Sequence, residues 1–219
     1  MDEGEVVIGR RRGRRWRKVS HGLHRSVDPP SKGVGVASAE QSRARLRDER
    51  LSDLRALQRI LPASACFTHL TAAGVHGLWL PPEPDRLPVF VSLHNGEERP
   101  RREGLRVSRL TATFDPVVVD GVRVAPLPEV LLACSRDLRL LDLVVLLDSA
   151  LRSKHCSVQE VSEAAGPRRR GAPALRSSLA LADARAESPW ETLLRLFHVL
   201  CEVPVEPQFE VRDERGVFV

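Results

Sequence analysis

The spacing of hydrophobic residues changes twice along this sequence, and this limits the fold more than any other feature. Residues 40–61 carry leucines near the helical period, with arginine and acidic residues between them. From Leu87 to Ala125 the period is two, as in half-buried strands, and from Pro126 to Leu151 it is helical again. Helical and strand segments that occupy separate stretches of a chain predict the α+β class.

The clearest local prediction is a β-hairpin from Val117 to Ala125. The runs VVV and VRV flank Asp120–Gly121, a pair that tolerates the positive φ angles of a type I′ turn. Further strands are predicted at Leu87–Leu93 and Leu105–Leu110, and two short strands around a turn at Arg14–Val27. The first nine residues, which are acidic and apolar, are expected to be loosely ordered.

Helix signals occupy the rest of the chain. The predicted helices cover Glu40–Leu61, ended by Pro62, and Thr68–Trp79, ended by Pro81. An apolar stripe predicts another from Leu140 to Leu151. Two more begin at the capping patterns Ser157–Glu160 and Ser188–Glu191.

Composition restricts the class of protein. The 219 residues are 42% hydrophobic and 29% charged, which is typical of a globular chain with one large or two small domains. No segment resembles a signal peptide, and the most apolar run is interrupted by Asp142 and Asp148. The four cysteines are scattered and are expected to be free thiols. We therefore expect a cytoplasmic protein without disulfides.

The formal charge of +5 is unevenly distributed, and this points to an anionic partner. From Arg10 to Arg25 there are basic residues and no acidic ones, so this stretch is expected to attract phosphate without reading base sequence. A solvated tail is the alternative. Trp16 could stack on a base or anchor the strand to a core. The predicted DNA-binding residues are Arg11, Arg12, Arg14, Arg15, Trp16, Arg17 and Lys18.

A resemblance to a known family runs through most of the chain. It is carried by the segments RRWRKVSHGLHR, FTHLTAAGVHGLW and ESPWETLLRLF…VEPQFEV, and by the paired strands and the helices from Pro126 to Leu151. Their order resembles proteins that join a module similar to the AbiEi-type antitoxins of type IV toxin–antitoxin systems to a C-terminal domain similar to very-short-patch-repair endonucleases. The first segment resembles the wing of a winged helix-turn-helix, and the last resembles the entry to the nuclease-like domain.

The resemblance implies the domain layout of the family, truncated at both ends. Residues 1–36 would form a basic arm and wing-like hairpin, residues 37–165 an antitoxin-like α/β region, and residues 166–185 a basic linker or helix. Residues 186–219 would form the opening helix and hairpin of an incomplete restriction-endonuclease-like α/β domain. The family's catalytic Asp and Glu-x-Lys would lie on strands beyond Val219, so we expect no catalysis.

The resemblance also implies a role for Glu191, as a carboxylate near a catalytic metal. The residues themselves favour a structural role, because Ser188, Pro189 and Glu191 make a capping pattern at a helix start. We expect no metal site or cofactor in this chain, and Mg²⁺ only if a complete nuclease domain exists. His69 and His76 lie two helical turns apart, which favours packing over zinc binding.

The leading hypothesis is a DNA-associated antitoxin/endonuclease-family protein that binds the DNA backbone without catalysis. One alternative is a metal-dependent DNA endonuclease, if the chain is a fragment of a longer product. A second alternative is an antitoxin-type protein-interaction module without DNA contact, using the helices from Pro126 to Leu151. A partner toxin protein would follow from the antitoxin resemblance.

Overall fold

The chain has an α+β fold that divides into two compact units. The structure, a computed structural model, describes residues 5–9, 13, 15–27, 38–82, 87–109 and 114–209. Unit 1 comprises Met1–Thr71 and Pro84–Ala125, and unit 2 comprises Ala72–Glu83 and Pro126–Val219. The domain boundary predicted at residue 36 falls inside unit 1, and those at 165 and 185 fall inside unit 2. These boundaries stay predictions.

Unit 1 contains a small antiparallel sheet with the strand order β1-β3-β2. Its strands are β1 (Val6–Ile8), β2 (Trp16–Ser20) and β3 (Leu23–Ser26). The predicted pair of strands around a turn is confirmed. The prediction of loose order before residue 10 is wrong for residues 6–8, because β3 supplies a pairing partner for this short apolar run.

The first helix, α1 (Ala39–Gln58), begins at a capping box in which the Ser38 hydroxyl accepts from the Gln41 backbone N–H. Its C-terminal half buries Leu51, Leu54 and Leu57 against unit 1. The helix ends at Gln58 rather than at the predicted Pro62. The single helix otherwise confirms the apolar spacing seen in the sequence.

Unit 1 also contains a mixed five-stranded sheet made of β4 (Cys66–Phe67), β5 (Val89–Leu93), β6 (Leu105–Arg109), β7 (Val117–Val119) and β8 (Val122–Val124). The strand order is β6-β5-β4-β8-β7. Helix α2 (His69–Val75) follows β4 in the chain and crosses the sequence boundary between the two units at residue 71. Strands β5 and β6 pair in parallel although they follow one another in the chain, so they do not form a hairpin. Helix α2 ends before the predicted proline stop, because Gly77 turns the chain at φ 75°.

The predicted type I′ hairpin is confirmed between β7 and β8. Asp120 and Gly121 both have positive φ, 49° and 75°. Helix α1 holds this turn through side-chain contacts. Arg47 pairs with the Asp120 carboxylate at 2.9 Å, and the Arg55 Nε donates to the Asp120 carbonyl at 2.8 Å.

Unit 2 contains five helices within the described ranges. They are α3 (Leu127–Cys134), α4 (Leu140–Arg152), α5 (Val158–Ala164), α6 (Ala172–Leu179) and α7 (Pro189–Leu200). Helix α4 packs against α3, α6 and α7 and supplies much of the core. The predicted Ser157–Glu160 capping box begins α5. Judged by length and hydropathy, none of the described helices could span a lipid bilayer.

The apolar stripe of α4 is core rather than surface. Leu143, Val144, Leu146 and Leu147 are at most 1% exposed. These residues cannot contribute to the protein-binding surface that the sequence suggested for this region unless the unit unfolds. An interaction surface in unit 2 would have to use other residues.

A buried carboxylate joins α4 to α7. Asp148 is fully buried and accepts from the Asp183 N–H at 2.7 Å, the Thr192 hydroxyl at 2.8 Å and the Arg195 guanidinium at 2.9 Å. Burial raises the pKa of Asp148, while these three donors oppose the rise. Each carboxylate oxygen therefore has a partner, and α7 is tied to α4 by polar contacts as well as by Leu196.

The side of α7 that faces away from α4 is apolar and exposed. Trp190, Leu194, Phe197 and Leu200 are 59–78% exposed, although they lie at helical spacing. The helix therefore has one apolar side within the core of unit 2 and a second apolar side at the surface. Exposed apolar surface of this kind often marks contact with another protein.

We expect Asp148→Ala to destabilise unit 2 by about 3–5 kcal/mol, because Arg195 would stay buried without its carboxylate. Arg152→Ala is the control, since the Arg152–Glu187 pair lies at the surface and its loss should cost about 1 kcal/mol or less. Urea unfolding combined with hydrogen exchange in α4 and α7 measures both. Similar values for the two variants would show that the buried network contributes no more than a surface pair.

Candidate nucleic-acid interface

The predicted DNA-binding residues fall into two groups in the structure. Arg11, Arg12 and Arg14 lie outside the described residues. Arg15 directly precedes β2, and its carbonyl accepts from the Val27 N–H at 2.8 Å, which fixes the backbone there. Trp16, Arg17 and Lys18 are the first three residues of β2.

Arg17 is held by acidic residues of α1. It lies opposite Arg25 of β3, so both side chains are on the same face of the small sheet. Arg17 pairs with Glu49 at 2.6 Å and with Asp53 at 3.1 Å, and Arg25 pairs with Asp53 at 2.5 Å. A phosphate at Arg17 would have to compete with two carboxylates. The structure therefore gives Arg17 a structural contact that the sequence did not indicate.

Trp16 and Lys18 lie on the opposite face of the small sheet, because side chains alternate along a strand. Lys18 is directly opposite His24, and Trp16 is opposite Ser26. Lys18 is exposed and Trp16 is partly exposed. We call the face that carries Trp16, Lys18 and His24 the outer face of the small sheet. It presents a cation beside an aromatic ring, away from the carboxylates on α1.

A second set of arginines lies in the segment that precedes β6. Arg99 is occupied, since it donates to the Val107 carbonyl at 2.7 Å. Arg102 reaches the end of β2 and donates to the His21 carbonyl at 2.7 Å, and Arg101 beside it is exposed. The sequence shows these residues only as a basic loop. Their closeness to β2 depends on tertiary packing.

Glu191 occupies a helix-capping position at the start of α7, as the capping pattern in the sequence predicts. One of its oxygens contacts the Ser188 hydroxyl at 2.9 Å. The other accepts from the Glu187 N–H at 2.8 Å and from the Gln208 amide at 2.9 Å. The Glu187 N–H lowers the pKa of Glu191, helped by the contacts with Ser188 and Gln208. The catalytic role that the resemblance implies for Glu191 stays a prediction.

The Mg²⁺ that the resemblance implies for a complete nuclease domain stays a prediction. Magnesium requires several oxygen ligands in near-octahedral geometry. Both Glu191 oxygens already accept hydrogen bonds, and the described ranges contain no group of three or more His, Cys, Asp or Glu side chains that could hold a metal ion. Glu191 therefore contributes to the start of α7 in this part of the chain.

His69 and three of the four cysteines are buried, while Cys201 is exposed. His69 is buried and stacks on Phe90, with ring centroids 4.2 Å apart. All four cysteines are free, and burial raises the pKa of Cys66 and of Cys156 to about 11. Thiols with such pKa values stay protonated near neutral pH, which makes them poor nucleophiles.

No family model, curated protein or solved structure matches this chain. The resemblance to antitoxin-like and very-short-patch-repair-like proteins therefore depends on the quoted segments alone and stays a prediction.

We expect Glu191→Gln to lower the stability of unit 2 at pH 7 by about 0.3–1 kcal/mol, because a carboxylate at a helix N-terminus is stabilising. The pKa of Glu191 is depressed in the folded state, so its contribution is present above the ordinary glutamate pKa and is lost as pH falls through the folded value. Urea unfolding at pH 7 and at about pH 3 measures the difference between the variant and the native chain, which should become smaller as the pH falls.

Glu163→Gln in the last turn of α5 is the matched control. A carboxylate there opposes the helix dipole, so this change should be neutral or slightly stabilising at pH 7. A Glu191→Gln effect that persists unchanged at about pH 3 would contradict the electrostatic account.

Proposed function

We propose that this protein binds the DNA backbone through the outer face of the small sheet and the basic residues that precede it, without reading base sequence. The observation that supports this most directly is the separation of charges across the sheet. Glu49 and Asp53 neutralise Arg17 and Arg25 on the α1 side. Lys18 remains exposed on the other side, next to Trp16.

The aromatic residue adds a second kind of contact. Single-stranded nucleic acid is commonly bound by cationic side chains that follow the backbone and by aromatic rings on which bases stack. Trp16 and Lys18 are two residues apart in β2, which places them about 7 Å apart along the strand. A base on the ring and the adjoining phosphate on the lysine could therefore be engaged together.

The strength of this binding should depend steeply on salt. Up to five cations are candidates for phosphate contacts, namely Arg11, Arg12, Arg14, Arg15 and Lys18, of which the first three lie outside the described residues. Five contacts give a slope of log K against log[salt] of roughly −4 to −5. We therefore expect weak, sequence-independent binding at physiological salt.

Substitution of Arg15 and Lys18 by alanine should reduce the magnitude of this slope by about two, with little change in base preference. Arg17→Ala is the matched control, since it removes the same charge from the same strand but on the α1 side. It should leave the slope nearly unchanged and instead lower the melting temperature. Fluorescence anisotropy with duplexes of unrelated sequence, at several salt concentrations, measures the binding.

A loss of slope of about one in Arg17→Ala, half of that expected for the double substitution, would show that Arg17 contacts phosphate and would contradict its assignment to the neutralised α1 side. A strongly sequence-specific complex would contradict the backbone-binding proposal itself. Trp16→Ala adds a further comparison: if the ring stacks on bases, it should weaken single-stranded binding more than duplex binding.

The proposal also covers the protein family to which the sequence bears a resemblance. We propose a cytoplasmic, non-catalytic member of an antitoxin/endonuclease family, with DNA as its principal partner. The endonuclease alternative gains no support from Glu191, whose oxygens are engaged in the helix cap.

Protein binding is the second candidate function, and the exposed apolar side of α7 favours it. Trp190, Leu194, Phe197 and Leu200 together offer two aromatic rings and two leucines to a partner. The resemblance implies a toxin protein as that partner. If this protein binds no DNA at low salt, antitoxin-type binding to a partner protein becomes the leading hypothesis.

A further inference from the structure

A cleft of about 450 Å³ lies within unit 1, next to the turn that joins β2 to β3. Its walls are the end of β1, the turn residues His21 and Gly22, and the loop residues Arg101, Arg102 and Glu103. Pockets for small ligands typically have volumes of about 300–1,000 Å³, so the cleft has room for a ligand of nucleotide size.

Arg102 is fixed in this wall by its own hydrogen bonds. One terminal nitrogen, Nη1, donates to the His21 carbonyl at 2.7 Å and lies 3.3 Å from the Ser20 hydroxyl. A guanidinium carries five N–H groups in a rigid planar fork, so the Nε and Nη2 donors are held in place while Nη1 is occupied. An arginine positioned in this way loses little side-chain entropy when it binds an anion.

The charges that line the cleft are mainly positive. Arg101 is exposed beside Arg102, and His21 lies at the turn. Glu103 is the one acidic residue in the lining, and no ion pair joins it to either arginine in the described part of the chain. Two guanidinium groups against one carboxylate leave the lining with a net positive charge, which favours an anion.

Two of the lining residues, Gly9 and Gly22, contribute only backbone. Gly9 donates to the Gly22 carbonyl at 2.8 Å, and both glycines have positive φ, 128° and 68°, which side chains rarely tolerate. A Cβ built on either glycine would meet nothing within 4 Å, so the space above them is open. A ligand can therefore approach the arginines past Gly9 and Gly22 without displacing a side chain there.

We infer that this cleft binds a phosphate group, with Arg101 and Arg102 as its donors. The identity of the molecule that carries this phosphate rests on the proposed function. A nucleic-acid backbone that lies on the outer face would continue past the end of β2 to Arg102. A free nucleotide is the other source of the same chemistry. The cleft would then anchor one phosphate firmly, while Lys18 and its neighbours track others more loosely.

Calorimetric titration of the full chain with inorganic pyrophosphate tests the site itself. Arg101→Ala should weaken binding about tenfold, the effect of losing one hydrogen bond to a charged group. Glu103→Gln should strengthen it by about two- to fivefold, because a repelling charge is removed. Arg109→Ala is the control, since Arg109 donates to the His94 carbonyl outside the cleft and should have no effect.

Arg102→Ala should also abolish tight binding, but Arg102 contacts the β2–β3 turn and its loss could disturb folding. Among the described residues, neither Arg101 nor Glu103 makes a hydrogen bond to this turn. Their variants are therefore expected to fold, and they keep the test decisive. Pyrophosphate binding that is the same in the native chain, Arg101→Ala and Glu103→Gln would overturn the inference. Absence of pyrophosphate binding by the native chain would overturn it as well.

DNA binding distinguishes the two sources of phosphate and separates this inference from the proposed function. If the native chain binds pyrophosphate and DNA, and Arg101→Ala weakens both, the cleft takes a backbone phosphate. If pyrophosphate binds but DNA does not, the proposed function fails and the cleft stands as a site for a free nucleotide. If DNA binds equally well to the native chain and to Arg101→Ala while pyrophosphate does not bind, the proposed function stands and the cleft inference fails.

Discussion

The contact between Asp53 and two arginines determines which face of the small sheet in unit 1 packs toward α1 and which face is open to solvent. Asp53 lies on α1 and pairs with Arg25 of β3 at 2.5 Å and with Arg17 of β2 at 3.1 Å. Arg25 is 9% exposed, so its charge is largely removed from water and requires a fixed partner. The pairing directs one face of the sheet toward α1 and leaves the other face to solvent, and the proposed DNA interface depends on that orientation.

Unit 2 also has an acidic residue that holds an arginine, and there the pair orients a helix rather than a sheet. Asp148 on α4 holds Arg195 of α7, with Thr192 and the Asp183 N–H as further donors. A buried charge pair of this kind adds little net stability over an apolar replacement, but it is sensitive to geometry. It therefore specifies which side of α7 packs inward, although both sides are apolar. The side left outside is the best candidate surface for a protein partner.

Arginine has several roles in this protein, and the count of positive charges alone does not separate them. Arg55 and Arg99 donate to backbone carbonyls, Arg17 and Arg25 pair with acids, and Arg169 pairs with Glu129 at 2.7 Å. Many cations in a basic chain of this composition are thus part of its internal architecture. A phosphate interface has to be sought among the cations that stay exposed, which include Arg15, Lys18 and Arg101.

Features that depend on neighbours in sequence could be predicted from the sequence itself. The Asp120–Gly121 turn, the Ser157–Glu160 cap and the apolar stripe of α4 each involve residues a few positions apart, so local backbone preference and periodicity determine them. The pairing of β1, the parallel alignment of β5 with β6 and the contact of Arg17 with Asp53 join residues that lie farther apart in the chain, and no local pattern specifies them. The sequence by itself therefore determined the α+β class, most of the helices, the β7–β8 hairpin and the basic segment, but not the short strands β1 and β4. Only the tertiary structure decided which of those charges are neutralised and which remain for a ligand, because an ion pair depends on the distance between two side chains in space.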